Sequence, residues 1–185
     1  LSIAGSDTSG GAGIQVDLRM FSACGVFGTT VLTALTAQHP FAVTAVVGLE
    51  ASFVKQQIET LLDGLPVKAV KTGMLWSAEI IACVAQTLPK DLPLVVDPVM
   101  ISTVGAKLIT DEAIDVYRSQ LLPRCTLATP NIDEAVELLG GEAIDNHNQE
   151  DAVKRLVDRF GCAVLLKGGH LTGDPIDMLY DGQQL

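Results

Sequence analysis

Short apolar runs rich in Val, Ile and Thr alternate with segments whose apolar positions recur every three or four residues. These are the periods of a buried strand and of an amphipathic helix. The pattern predicts strands near 1–4, 29–35, 43–48, 67–72, 93–97, 125–129 and 162–167. Helices are predicted near 13–24, 52–63, 77–88, 111–122, 132–139 and 149–160. Ser52, Ser77, Thr110 and Asn148 stand where a side chain can accept from orphan N–H groups at a helix start. Gly25, Gly140 and Gly161 stand where a left-handed residue closes a helix. Near the end, Asp181-Gly182 separates Met-Leu-Tyr from Gln-Gln-Leu, the chemistry of a tight hairpin turn. Strands alternating with helices predict an α/β fold with a mostly parallel central sheet. No repeat, low-complexity tract or Pro/Ser-rich linker interrupts them, so 1–185 is expected to form a single domain.

Composition narrows this picture. Apolar residues make up 48% of the 185, enough for a sizeable core, and the mean hydropathy is +0.37. Every apolar run is nonetheless broken well short of the roughly 18 residues that a membrane span needs. Twelve Lys and Arg against 22 Asp and Glu give a net charge of −10, which argues against a nucleic-acid partner. That balance leaves a small phosphate ligand open, since a pocket needs only a few N–H groups and one or two cations. Cys24, Cys83, Cys125 and Cys162 show no C-x-x-C pair or metal spacing and lie in apolar stretches. They are expected to be buried thiols of a reducing compartment, and with no basic leader a cytoplasmic protein is expected.

In an open parallel sheet the segments that follow the strands carry the ligand chemistry. After the first strand comes Gly5-Ser6-Asp7-Thr8-Ser9-Gly10-Gly11-Ala12-Gly13-Ile14-Gln15-Val16-Asp17. It is no Walker A loop, because Gly11 stands where Lys is needed, and no dinucleotide fingerprint, because Val16 occupies the closing position. What remains is a turn whose backbone can approach a ligand, or simply a tight strand–helix connection with Asp17 one turn into the helix. Gln38 follows the strand that ends near Leu35, where its amide could read a heteroaromatic edge or be an ordinary loop group; His39 has no partner at recognisable spacing. Asp97 ends an apolar run before Pro98, the place of a carboxylate that holds a metal, takes a proton or orients a loop. Met74 and Met100 could line an apolar pocket or belong to the core. Asn131 and Glu134 have capping-box spacing, and Glu134 could equally hold Mg²⁺ through water. Lys167, before Gly168, Gly169 and His170, could face nucleotide phosphates or merely close the last strand.

Taken in order, six segments closely resemble the hydroxymethylpyrimidine/phosphomethylpyrimidine kinase family of the ribokinase-like superfamily. They are the Gly5–Asp17 stretch, Thr33-Ala34-Leu35-Thr36-Ala37-Gln38, Lys71-Thr72-Gly73-Met74, Asp97-Pro98-Val99-Met100, Thr129-Pro130-Asn131-x-x-Glu134 and Lys167-Gly168-Gly169-His170. The match runs over nearly the whole chain. The resemblance implies a three-layer α/β/α fold and an ATP- and Mg²⁺-dependent kinase of thiamine biosynthesis. Such an enzyme phosphorylates 4-amino-5-hydroxymethyl-2-methylpyrimidine and then its monophosphate. It implies that Gln38 binds the aminopyrimidine, with Gly5, Asp17, Met74 and Val99 around the ring and its hydroxymethyl group. Asn131, Lys167 and Asp97 would serve the ATP and phosphate side, and Glu134 the metal. Partners would be the pyrimidine and ATP, with no nucleic acid and no membrane, and with room for a homo-oligomer.

One departure stands out. Members of the family continue into a Gly-Thr-Gly-rich loop that forms the anion hole and carries a nearby catalytic side chain, and nothing like it precedes Leu185. The expectation is therefore a C-terminally incomplete kinase whose catalytic residues lie beyond Leu185, inactive if it stops there, since one such donor is worth about 10²–10³ in rate. Two other readings compete: a pyridoxine/pyridoxal kinase, whose substrate is also a hydroxymethyl-bearing ring, and a non-catalytic pyrimidine-binding module.

Overall fold

The computed structural model describes residues 1–100, 109–169, 171 and 174–185; His170 of the last motif lies outside them. The strands are β1 (Ser2–Asp7), β2 (Thr30–His39), β3 (Ala42–Gly48), β4 (Val70–Thr72), β5 (Leu94–Val96), β6 (Leu127–Ala128), β7 (Ala163–Leu166) and β8 (Met178–Tyr180). They form one sheet in the order β3-β2-β1-β4-β5-β6-β7-β8. The six inner strands run parallel, and β3 and β8 close the edges antiparallel. The helices are α1 (Gly13–Ala23), α2 (Ala51–Gly64), α3 (Ala78–Thr87), α4 (Asp111–Val116), α5 (Ile132–Leu139) and α6 (Gln149–Phe160). This is the mostly parallel α/β architecture that the alternation of periods predicts.

The chain enters at β1, builds outward through β2 and β3, then crosses back to β4 beside β1. The order therefore reverses between β1 and β4, the position at which open sheets open a crevice beyond their strand ends. Alternation along β4 sends Val70 and Thr72 to one face and Lys71 to the other. On the first face the buried side chains of Ile3, Val31, Val70 and Val96 join Val54 and Ile58 of α2 and Ile80, Ile81 and Val84 of α3. On the second, Lys71 meets α1, which packs on β1.

Several local expectations need correction. β2 runs on to His39, because β3 pairs with it as far as Gln38↔Val43 and His39↔Ala42. Gln38 is thus a strand residue of an edge hairpin and not a loop residue. The helix expected over 111–122 is α-helical only to Val116, then widens into a π-helical segment (Tyr117–Leu121) and a 3-10 turn (Leu122–Arg124). Pro123, which lacks an N–H, lies in that closing turn. Helix α2 begins one residue before Ser52, with no side-chain cap, whereas Ser77 and Thr110 accept from Ile80 N and Ala113 N. Asn148 turns its side chain to Asp145 N and Ala143 O instead of capping α6. Gly140 and Gly161 close α5 and α6 in the left-handed region as expected. Cys125 and Cys162 are buried, but Cys24, just past α1, is exposed; all four are free thiols. After β8, Asp181 Oδ1 accepts from Gln183 N and Gln184 N in a turn, and the strand paired with β8 is β7. Among the described residues, no helix is long and apolar enough to cross a membrane.

Candidate active site

The glycine-rich turn is organised around an acid that the sequence reading passed over. Asp7, at the end of β1, is buried, and its carboxylate accepts from Ser9 N at 2.8 Å, Ser9 Oγ at 2.8 Å, Gly11 N at 3.1 Å and Ala12 N at 2.9 Å. It acts as an internal anion at the entrance to α1, taking the N–H groups that an incoming phosphate would otherwise meet. The available signal is the Asp7-x-Ser9 spacing of an Asx turn. Gln15 completes the frame: Oε1 accepts from Asp7 N at 3.0 Å and Nε2 donates to Ser6 Oγ at 2.7 Å.

Above this turn lies a cavity of about 190 Å³. Gly5, Gln38, Met74 and Val99 line it, together with Thr36, Val43, Val46, Lys71 and Asp97. Val43 and Val46 come from the hairpin strand β3, whose close passage the sequence does not announce. Gly5 lets the Met74 side chain lie against the strand: a β-carbon there would meet Met74 Cε at 2.6 Å and turn that flexible end aside. Thr33 Oγ1 donates to Met74 O at 2.6 Å and anchors the turn after β4. Met100 lies in the core, 1% exposed. Asp17 is not among the lining residues. Its carboxylate turns to Lys71 Nζ, at 3.0 and 3.1 Å, and accepts from Ser2 Oγ at 2.6 Å. The cation that lines the cavity is thus Lys71, which stands in one of the family-like motifs without an assigned role.

Beyond β5 the wall becomes polar. Lys167 Nζ lies 2.9 Å from Asp97 Oδ1, and Thr129 Oγ1 is 3.4 Å from the same oxygen. Asn131 and Lys167 form a parallel β-bridge, and Lys167 N donates to Pro130 O at 2.9 Å. The capping box is present: Asn131 Oδ1 accepts from Glu134 N and Glu134 Oε2 from Asn131 N, both at 2.8 Å. Glu134 is 2% exposed. Burial pushes its carboxyl up to about 7; Asp97 adds to the rise, and the Asn131 N–H and Lys167 oppose it. Tyr117 lies buried nearby, and among the described residues its hydroxyl has no hydrogen-bond partner. Burial first, then the charges of Asp97 and Glu134, raise its ionisation well above the usual range for a phenol.

The crevice therefore has an apolar, ring-sized side over β1 to β4 and a charged side over β5 to β7, and Asp97 belongs to both. Among the described residues, no group of three or more His, Cys, Asp or Glu could cage a metal by itself. Two carboxylates whose charges repel, one of them costly to ionise where it stands, have the oxygen-donor chemistry that would suit a hard cation such as Mg²⁺.

Comparison with known proteins gives a consistent picture. A model of the family described as phosphomethylpyrimidine kinase matches residues 7–185. The hydroxymethylpyrimidine/phosphomethylpyrimidine kinase of Synechococcus elongatus is 47% identical over the whole of this chain, which spans 71% of that protein. The thiamine biosynthesis bifunctional protein ThiED of Geobacter sulfurreducens is 46% identical over 98% of the chain, which spans 38% of that protein. Among solved structures, phosphomethylpyrimidine kinase from Clostridium difficile matches with a TM-score of 0.89 and 43% identity, over 98% of this chain and 80% of that one. A pyridoxal kinase of Bacillus subtilis, solved as an ADP complex, matches with a TM-score of 0.88 and 36% identity, over 99% of this chain and 71% of that one.

Proposed function

The chain belongs to the phosphomethylpyrimidine kinase family, and on that premise we propose that its crevice positions 4-amino-5-hydroxymethyl-2-methylpyrimidine, and then its monophosphate, for phosphorylation by ATP. The observation that carries this reading is the shared position of Asp97, which lines the ring-sized cavity and also pairs with Lys167 of the charged side. A ring held by Gln38 between Met74, Val43, Val46 and Val99 directs its substituent toward Asp97. Gln38 contributes an amide that can accept from the exocyclic amine and donate to a ring nitrogen. The apolar walls exclude water from the alcohol that is to be phosphorylated. Phosphoryl transfer asks chiefly for in-line placement and charge stabilisation. Lys167 offers a cation to the nucleotide phosphates, and Asn131 holds the Glu134 carboxylate in a fixed orientation through the capping box. Glu134 and Asp97 would hold Mg²⁺, which when bound neutralises charge on the phosphate oxygens.

A pyrimidine is favoured over a pyridoxal-type ring, because pyrimidine kinases are 42–47% identical to this chain and pyridoxal kinases 34–36%. The reading extends to one kinase domain over 1–185, working in the cytoplasm; a single continuous sheet and four free thiols support it. Calorimetric titration of the chain with the aminopyrimidine alcohol, with pyridoxal and with ATP in the presence of Mg²⁺ tests it. Binding of the alcohol and ATP, with pyridoxal weaker, is expected. Absence of alcohol binding, or tighter binding of pyridoxal, overturns it.

A further inference from the structure

Four charged side chains stand at or behind the ring side of the crevice: Asp7, Asp17, Lys71 and Asp97. Three are engaged elsewhere. Asp7 is wrapped by the N–H groups of its own loop, Asp97 pairs with Lys167, and Asp17 sits behind the wall against Ser2 and Lys71. Among the described residues, Lys71 is the one cation lining the cavity. Its side chain is 28% exposed and that of Asp17 is 15% exposed.

The height of the ammonium is fixed by its neighbours. Lys71 leaves the sheet in the middle of β4, yet a β-carbon on Gly73, two residues on, would lie 3.0 Å from Lys71 Nζ. Gly73 is itself part of the cavity wall. The charge is therefore carried up to the level of the strand end, held there by both oxygens of Asp17. β4 lies between β1, whose loop walls the ring side, and β5, which leads to Asp97. Lys71, Gly73 and Asp97 thus line one cavity, with the ammonium beside Gly73. A carboxylate gripped through two oxygens takes at most two of its three N–H groups, which leaves one for a ligand.

A neutral alcohol needs no cation at that point, but a phosphomonoester does. In the loop that leads into α1, the N–H groups of Gly11 and Ala12 are taken by the Asp7 carboxylate. We propose that Lys71 is the counter-charge that admits the phosphorylated form of the ring substrate, and that Asp17 is a positioning residue that acts through it by holding the ammonium at the cavity floor. One residue pair would then let a single crevice accept first an alcohol and then its phosphate ester.

The proposal rests on the crevice being a pyrimidine site, and titrating the chain separately with the aminopyrimidine alcohol and with its monophosphate keeps the two apart. Lys71→Met is expected to weaken monophosphate binding by about tenfold to a hundredfold and alcohol binding by less than about threefold. Lys71→Arg, which keeps the charge, is expected to retain most of the monophosphate affinity. Because Lys71→Met strands the Asp17 carboxylate, the double variant Lys71→Met with Asp17→Asn is titrated beside it, thermal melts confirm folding, and the same selective loss is expected. Equal losses for both ligands in the double variant, or no loss for the monophosphate, overturn the role of Lys71. Wild-type chain that binds the alcohol but not the monophosphate also overturns it alone. Wild-type chain that binds neither overturns the pyrimidine reading, and this proposal with it.

Discussion

Lys167 Nζ stands 2.9 Å from Asp97 Oδ1, although 70 positions separate the two residues along the chain. The pair joins the end of β7 to the end of β5 across β6, and its oxygen is shared with Thr129 Oγ1 at 3.4 Å. Both side chains keep solvent access, 38% for Lys167 and 25% for Asp97, so the contact holds the crevice in shape without locking it. A pair of this kind can exchange: phosphate oxygens can replace Asp97 at the ammonium while Asp97 turns to a cation.

Lys167→Met should accordingly weaken nucleotide binding more than pyrimidine binding. About tenfold or more is expected for ATP with Mg²⁺, the size of one charge-assisted contact, and less than about threefold for the aminopyrimidine. Calorimetry with each ligand separately measures the split. Equal losses would mean that the lysine supports the crevice as a whole.

Gln38→Ala should act on the other side. Gln38 is half-buried in β2 and lines the cavity, so removing its amide leaves a ring edge without a partner. A loss of about 1–3 kcal/mol in pyrimidine affinity is expected, with ATP affinity unchanged. Titration with 4-amino-5-hydroxymethyl-2-methylpyrimidine checks it, and an unchanged affinity removes Gln38 from the ring site.

What the sequence discloses and what it hides divide along the range of the interactions. The Asn131–Glu134 capping box is read directly, because both partners lie within one helical turn. The Asp97–Lys167 pair has no local signature; only the parallel register of β5, β6 and β7 brings the two together. Gln38 is misplaced because Thr36, Ala37 and Gln38 lack the apolar signature of a strand, and only the β3 partner makes them one. The burial of the Tyr117 hydroxyl depends on how a π-helical turn packs near two acids from other elements. Asp17 carries a family motif, but its direction is decided by Lys71 and Ser2, 54 and 15 residues away.

Glu134 should make stability depend on pH in a direction opposite to an ordinary surface carboxylate. Its folded-state value, about 7, lies above the ordinary 4.5, so the folded protein holds this proton more tightly than the unfolded chain does. The stabilising contribution is complete below about 4.5 and is lost as pH rises through about 7. Around it stand Asp97, which favours the neutral acid, and the Asn131 N–H, Lys167 and the Met100 N–H, which oppose it. Glu134→Gln keeps an acceptor for the Asn131 N–H and removes the charge. The variant should melt close to the wild type at pH 4 and be more stable at pH 8, by about 3 kcal/mol at most. Thermal unfolding in metal-free buffer at the two pH values measures this, and a Gln variant less stable at pH 8 contradicts it.

The last prediction concerns two glycines of the β1–α1 turn that share a left-handed backbone but differ in what surrounds them. Gly10 has φ +71 and Gly13 has φ +60, so alanine at either pays about 1–2 kcal/mol for its conformation. A β-carbon on Gly10 would meet Arg19 Nη2 at 2.6 Å, the far end of a side chain that can swing away. A β-carbon on Gly13 would lie 2.4 Å from Gly5 O, backbone of the central strand β1, which is held by β2 and β4 on both sides. Gly13→Ala must therefore push α1 outward from the sheet, opening the wall that Gly5, Ala12 and Gly13 give the cavity. It should cost at least about 1 kcal/mol more stability than Gly10→Ala, since a misfitting β-carbon against fixed neighbours is itself worth about 1–3 kcal/mol. It should also weaken pyrimidine binding, whereas Gly10→Ala leaves binding near the wild-type value. Parallel melts and titrations of the two variants give the comparison, and equal behaviour would show that conformation alone, and not the approach of α1 to β1, sets the demand for glycine at position 13.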